Sequence, residues 1–253
     1  GYYYKTVEEE KAAAELAEKQ KTEEKARQEQ LCDSIYNNFT STDLTAMDAK
    51  GFVHTIDYQV KTIYERDSSI NEHYAFVFDK QGNIIDFKSH YLAGEELFPA
   101  KYKRNKEGQI NELSVRTSYA NGIGESYKGL VVYKFKYDAD GRIMTVIFDN
   151  QSDAGRGGIM ADGTYKFSDY EEEKGFTKCF LKYDDGCGIQ KEDVKLVSFD
   201  SDDMGNWISK KGRNKKTYTS MDEPTTWNED MTVTRKIEYY KREEIDFTPY
   251  LKH

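Results

Sequence analysis

The sequence predicts a mainly β fold: antiparallel hairpin repeats forming an extended or curled sheet, preceded by one long N-terminal α-helix. Three observations predict it. Runs such as Ile56–Tyr64 and Val131–Tyr137 alternate apolar or aromatic residues with Asp, Gln or Lys, the period of a half-buried strand. Several of these runs are joined by short segments that open on Asp or Asn and close on Gly, a hairpin signal. The residues before Phe39 show neither feature and are dense in Ala, Glu, Lys and Gln, all strong helix formers.

The helix is predicted from about Val7 to Phe39. Glu15 and Lys19 form a favourable i,i+4 ion pair. Leu31, Ile35 and Phe39 recur on one face, so the C-terminal end is expected to dock while the first turns stay solvated. No heptad persists, which favours a stalk or surface helix over a coiled coil. The chain therefore divides into a helix over residues 1–40 and a β-repeat domain over 41–253.

Strands follow in order. Ile56–Tyr64 comes first, then Tyr74–Phe78, Ile84–Phe87, Ile110–Tyr119 and the paired runs Val131–Tyr137 and Ile143–Phe148. Ile143–Phe148 is apolar on both faces apart from Thr145, so it is expected to be buried on both sides in the middle of the fold. The Gly-rich Asn150–Gly163 is expected to be a loop within the domain, because strand pattern resumes at Thr164–Phe167. Leu196 and Phe199 mark another strand, and the last is expected over Met231–Tyr240. Between those two, Ser209–Thr217 (SKKGRNKKT) is expected to be a solvated basic hairpin tip.

Four turns share a pattern: Asp79–Gly82, Asn105–Gly108, Asp138–Gly141 and Asp202–Gly205. Asp or Asn opens a type I turn, and the Gly accepts the positive φ that closes it, giving a hairpin with a bulge. Their spacing is uneven, with the last gap nearly twice the one before, as in a degenerate repeat.

Tyr137-Asp138-Ala139-Asp140-Gly141-Arg142-Ile143 resembles the YD (Rhs-type) repeat of bacterial cell-surface and secreted proteins. Phe78-Asp79-Lys80-Gln81-Gly82-Asn83-Ile84 is a near copy. Asp202–Trp207, with Thr234–Tyr240 downstream, is similar to a closing motif of such proteins. The resemblance implies hairpins that extend a curling sheet and an extracytoplasmic location at the periplasm or cell surface. This chain has few repeats and no toxin-like domain after them, so enclosure of a cargo is not expected.

Composition narrows the function classes. A net charge of −9 argues against a phosphate-backbone footprint, so nucleic acid is not an expected partner. No run reaches the apolar length of a transmembrane span. The chain opens on Gly1 without an apolar signal, and a processed leader is expected to precede it. The cysteines, Cys32, Cys179 and Cys187, are too few and odd in number for a disulfide framework, with a Cys179–Cys187 pair left open. Although only 37% of residues are hydrophobic, 20 Tyr and 13 Phe can supply a core.

The chemical motifs mostly fail on spacing. Asp200–Gly205 begins like an EF-hand loop, but Met204 and Lys211 stand where ligands belong. Gly122–Gly129 lacks both the phosphate-loop Lys-Ser/Thr ending and the serine-hydrolase elbow. His54, His73, His90 and His253 form no metal-spaced pair, so neither a metal nor a cofactor is expected. Tyr133, Phe135 and Tyr137 share a strand face and read as core. Trp207, Trp227 and Tyr218 remain as candidate ligand contacts: Trp207 follows a turn, and Trp227 lies in the polar connection Met221–Asp230. Exposed aromatics near loops stack on sugars or anchor a protein partner. The expectation is a non-catalytic secreted or surface-anchored β-scaffold that binds a protein or glycan. The alternatives are a carbohydrate hydrolase and a purely structural envelope protein.

Overall fold

The computed structural model describes residues 2–64, 67–89, 101–120, 126–150, 162–172, 174–184, 187–220 and 223–251. His90, His253, most of the Asn150–Gly163 segment and the first half of Gly122–Gly129 lie outside them. The chain falls into two compact units, Thr40–Tyr240 and Gly1–Phe39 with Lys241–His253.

In the smaller unit, helix α1 runs Tyr2–Asn38. The apolar face expected at its C-terminal end is only partly covered: Leu31 is 47% exposed, whereas Ile35 and Phe39 are half-buried. Short 3₁₀ turns at Arg242–Glu244 and Thr248–Tyr250 supply its partners. Arg242 Nε pairs with Asp33 at 2.7 Å, and the Phe39 and Tyr250 rings meet edge to face at 5.6 Å. No helix among the described residues is long and apolar enough to cross a membrane.

The larger unit opens on a short helix, α2 (Thr42–Ala46), and then builds one antiparallel sheet of twelve strands. They are β1 (Val53–Tyr64), β2 (Asp67–Phe78), β3 (Ile84–Ser89), β4 (Lys101–Arg104), β5 (Ile110–Ala120) and β6 (Ser126–Tyr137). Then come β7 (Ile143–Asn150), β8 (Gly163–Glu171), β9 (Gly175–Asp184), β10 (Ile189–Ser201), β11 (Trp207–Thr219) and β12 (Thr225–Tyr239). The order across the sheet is β3-β2-β1-β12-β11-β10-β9-β8-β7-β6-β5-β4. Apart from the β1–β12 pairing, every neighbour is a sequence neighbour, as hairpin repeats dictate. The mainly β class with a long N-terminal helix is thus the architecture the alternation predicted.

One face carries the core: Ile56, Val60, Leu113, Val115, Leu181, Val194, Leu196 and Val233 are all buried. Rings run along this face from β7 to β3, with Phe148, Tyr165, Phe167, Phe176, Trp207, Tyr58, Tyr74 and Phe87 in successive contact at 4.8–6.2 Å between centroids. Phe176 of β9 reaches Trp207 of β11, and Trp207 reaches Tyr58 of β1, each across an intervening strand. Such contacts need a sheet that is concave on this side. The two ends of the sheet also converge. Phe76 and Ile84 from one end, and Tyr102, Ile110 and Leu113 from the other, line one small cavity together with Ala46 and Met47.

The segment around α2 lies across the turn end of the curled sheet. Ser41 caps α2 through Leu44 N and donates its hydroxyl to Gly82 O at 2.7 Å. Lys50 and Asn206 exchange hydrogen bonds of 2.9 and 2.8 Å. The Arg235 guanidinium donates to Met47 O and Asp48 O.

The four repeated turns have one geometry. In each, the Asp or Asn Oδ1 accepts from the backbone N–H groups two and four residues on, and the Gly has φ between 74° and 83°. This separates backbone strain from packing in a testable way. A Cβ at Gly108 meets nothing within 4 Å, so Gly108→Ala is expected to cost only the left-handed penalty, about 1–2 kcal/mol. A Cβ at Gly82 falls 2.6 Å from Ser41 Oγ and 3.1 Å from Leu44 Cδ1, which displaces the α2 segment as well. Urea titration of the two variants should place Gly82→Ala clearly below Gly108→Ala; equal midpoints would contradict the docking of α2 on this turn.

Three sequence expectations are corrected. Ser209–Thr217 is not a loop but most of β11, because its basic residues alternate between two faces of a strand. Trp227 is not in a connection but within β12, which starts at Thr225. Ile143–Phe148 is not buried on both sides: Met144 is 42% exposed, since only one face of the sheet is covered, and β7 is fourth from the β4 edge. The Cys179–Cys187 disulfide left open by the sequence is not formed.

Candidate functional site

The strand β11 carries two Lys on each side, so its faces differ in setting more than in composition. Lys210, Asn214 and Lys216 point to the concave side, whereas Lys211, Arg213 and Lys215 are exposed on the other. Cross-strand register then brings the concave-side residues against acids. Asn214 stands opposite Glu229 of β12 and Val194 of β10, and Lys216 opposite Trp227 and Glu192.

The result is a buried polar cluster set in an apolar face. Glu192 accepts from Gln190 Nε2 on Oε1 and from Asn214 Nδ2 on Oε2, both at 2.5 Å. Glu229 Oε1 accepts from the Trp227 indole N–H at 2.9 Å. The Lys216 ammonium lies between the two carboxylates, 2.9 Å from Glu229 Oε2 and 3.7 Å from Glu192 Oε1. The shorter contact is a charge contact without hydrogen-bond alignment, since Glu229 Oε2 has no aligned donor. One atom is left over. Asn214 is wholly buried, yet its Oδ1 has no hydrogen-bond partner. A buried acceptor without a donor costs about 1–3 kcal/mol.

Two of the three aromatic candidates border this cluster. Trp227 is half-buried and bound to Glu229. Tyr218, also half-buried, stands opposite Gln190 and packs over Gly188, where a Cβ would fall 2.7 Å from its hydroxyl. The third candidate does not belong here. Trp207 is 2% exposed and sits in the core near α2, so the expectation of an exposed ring fails for it. Its indole is packed by Tyr58 and Phe176 and lies under the Lys210 amine and the Arg235 guanidinium, each at 3.9 Å.

Glu192, Asn214, Lys216 and Glu229 escaped the sequence reading. For Asn214 and Lys216 the signal was the period-two alternation hidden in KKGRNKK, where lysines on both faces mask the pattern. Other acidic and histidine motifs have structural partners: Asp202 Oδ2 accepts from Tyr239 Oη at 2.5 Å, His73 contacts Asp57 at 2.9 Å and His54 stacks on Tyr240. Among the described residues no group of three or more His, Cys, Asp or Glu is placed to hold a metal ion.

No family model matches this chain, and no curated protein is similar to it. Among solved structures, a porin-like protein from Bacteroides uniformis is similar over 74% of this chain and 98% of its own, at 10% identity and a TM-score of 0.28. That likeness is too slight to bear on either fold or function here.

Proposed function

We propose that this chain is a non-catalytic, extracytoplasmic β-scaffold that binds a glycan at the cluster bordered by Trp227 and Tyr218. One observation carries the reading: the half-buried rings of Trp227 and Tyr218 border a set of carboxylates and amides on one face of the sheet. A ligand at this border meets carboxylates that take hydrogen-bond donors and aromatic rings that favour apolar C–H faces. Sugars combine both properties. The four identical turns support descent from a YD-type array, and with it a periplasmic or cell-surface location.

A hydrolase reading has its own support, because Glu192 and Glu229 approach one another as a glycosidase pair would. Lys216 occupies the space between them, where a scissile bond has to sit, which favours binding over turnover. Retention on a panel of immobilised oligosaccharides, with analysis for released products, separates the two. Binding without product is expected, and Trp227→Ala is expected to weaken it by about tenfold or more. Product release that disappears in Glu192→Gln or Glu229→Gln would overturn the non-catalytic reading.

A further inference from the structure

The convex face of β9–β11 carries charge that the fold itself does not use. Register places Lys178, Lys195 and Arg213 directly opposite one another on three adjacent strands, and Lys182 opposite Lys191. All are exposed. Like charges facing each other across a sheet are destabilising, so packing gives no reason for this arrangement. Lys178, Lys195, Arg213 and Lys215 line a shallow groove of about 380 Å³ with Asp193 and Asn228. The acids beside it offset only part of the charge: Asp169 pairs with Lys178 at 2.6 Å, and Asp230 lies 3.7 Å from Arg213. This strip stands out on a chain of net charge −9.

We propose that the convex strip of β9–β11 is a second binding surface, for an acidic polysaccharide. The cations of one row are spaced by the strand separation, about 4.8 Å, which suits a linear chain with charges at sugar-sized intervals. Phe180, 37% exposed and set between Lys178 and Lys182, gives a sugar ring an apolar platform. Two other anionic partners fit less well. A bilayer is flat and meets a convex sheet along a narrow line. Duplex DNA carries a charge every 1.7 Å or so, and its footprint would run past the strip onto an acidic surface. This surface is separate from the Trp227 cluster, which lies on the opposite face.

The test is binding of the full chain to polygalacturonate, with dextran, phosphatidylcholine–phosphatidylglycerol vesicles and duplex DNA as comparisons. Expected is binding to polygalacturonate at about 50 mM salt that weakens by about tenfold or more near 200 mM. The Lys195→Gln/Arg213→Gln variant should lose about tenfold in affinity while its melting temperature holds or rises, because repulsion is relieved. Lys134→Gln/Lys136→Gln, exposed on β6, should leave it unchanged. The proposal is overturned by no binding, by equal retention on dextran, by equal or tighter binding to vesicles or DNA, or by an unaffected strip variant.

Discussion

Asp43→Ala is expected to lower stability by about 3–5 kcal/mol, the cost of leaving one partner of a buried ion pair uncompensated. Asp43 is 3% exposed and joins the two ends of the sheet. Its carboxylate accepts from the backbone N–H of Ile84, which opens β3, at 2.7 Å. It also takes both Arg104 terminal nitrogens, at the end of β4, at 2.7 and 2.8 Å. That fork is the geometry in which Arg binds carboxylates best, and it raises the pKa of Arg104 above its ordinary value. Edge strands that expose unpaired N–H and C=O groups invite aggregation, so the clasp also protects against a wrong pairing. Asp43→Asn keeps an acceptor for Ile84 and should cost less than Asp43→Ala. Urea unfolding reads both; a loss below about 1 kcal/mol in Asp43→Ala would show that the ends hold together without it.

The second large effect is a pH dependence set by Lys210. Its side chain is wholly buried, with the amine 3.8 Å from the Phe176 ring and donating to Phe176 O at 2.9 Å. Burial, and then the Arg235 guanidinium, push its pKa down to about 6, while Asp48 opposes them. The sign follows from proton counts. Between that value and its ordinary value of 10.5, the unfolded chain holds a proton on Lys210 that the folded chain lacks. Stability therefore rises with pH through this window, by at most about 1.4 kcal/mol per unit, and Lys210 adds no further slope below it. The aromatic faces beneath the amine favour its charged form and reduce the slope, so a gain of about 2 kcal/mol from pH 6.5 to 8.5 is expected. Lys210→Met should flatten that rise and be the more stable protein at the acidic end. A wild-type stability that falls over the same interval would contradict the assignment.

How far the sequence carried the account depends on what each residue type encodes. Strands such as Ile56–Tyr64 and Val131–Tyr137 were legible because apolar or aromatic residues alternate with Asp, Gln or Lys there. The turns were legible because Asp or Asn and Gly are the residues their backbone demands. In β11 the same alternation was concealed: Lys210, Asn214 and Lys216 face inward and look, residue by residue, like the solvated lysines opposite them. Burial of such groups is a property of register, not of residue type. Trp207 misled for the converse reason, since a tryptophan just after a turn reads as exposed unless the packing of the Lys50 segment against that turn is known. Trp227 and Tyr218 were named without their acidic neighbours: Glu229 stands two residues from Trp227 on β12, and Glu192 comes from β10.

Calorimetric titration of the oligosaccharide best retained by the wild type, into wild type and into Trp227→Ala, tests the central claim most directly. The account predicts saturable binding by the wild type, about tenfold or more weaker in Trp227→Ala, with both proteins unfolding at closely similar temperatures. Equal affinities in the two proteins, or no glycan bound by the wild type, would contradict it.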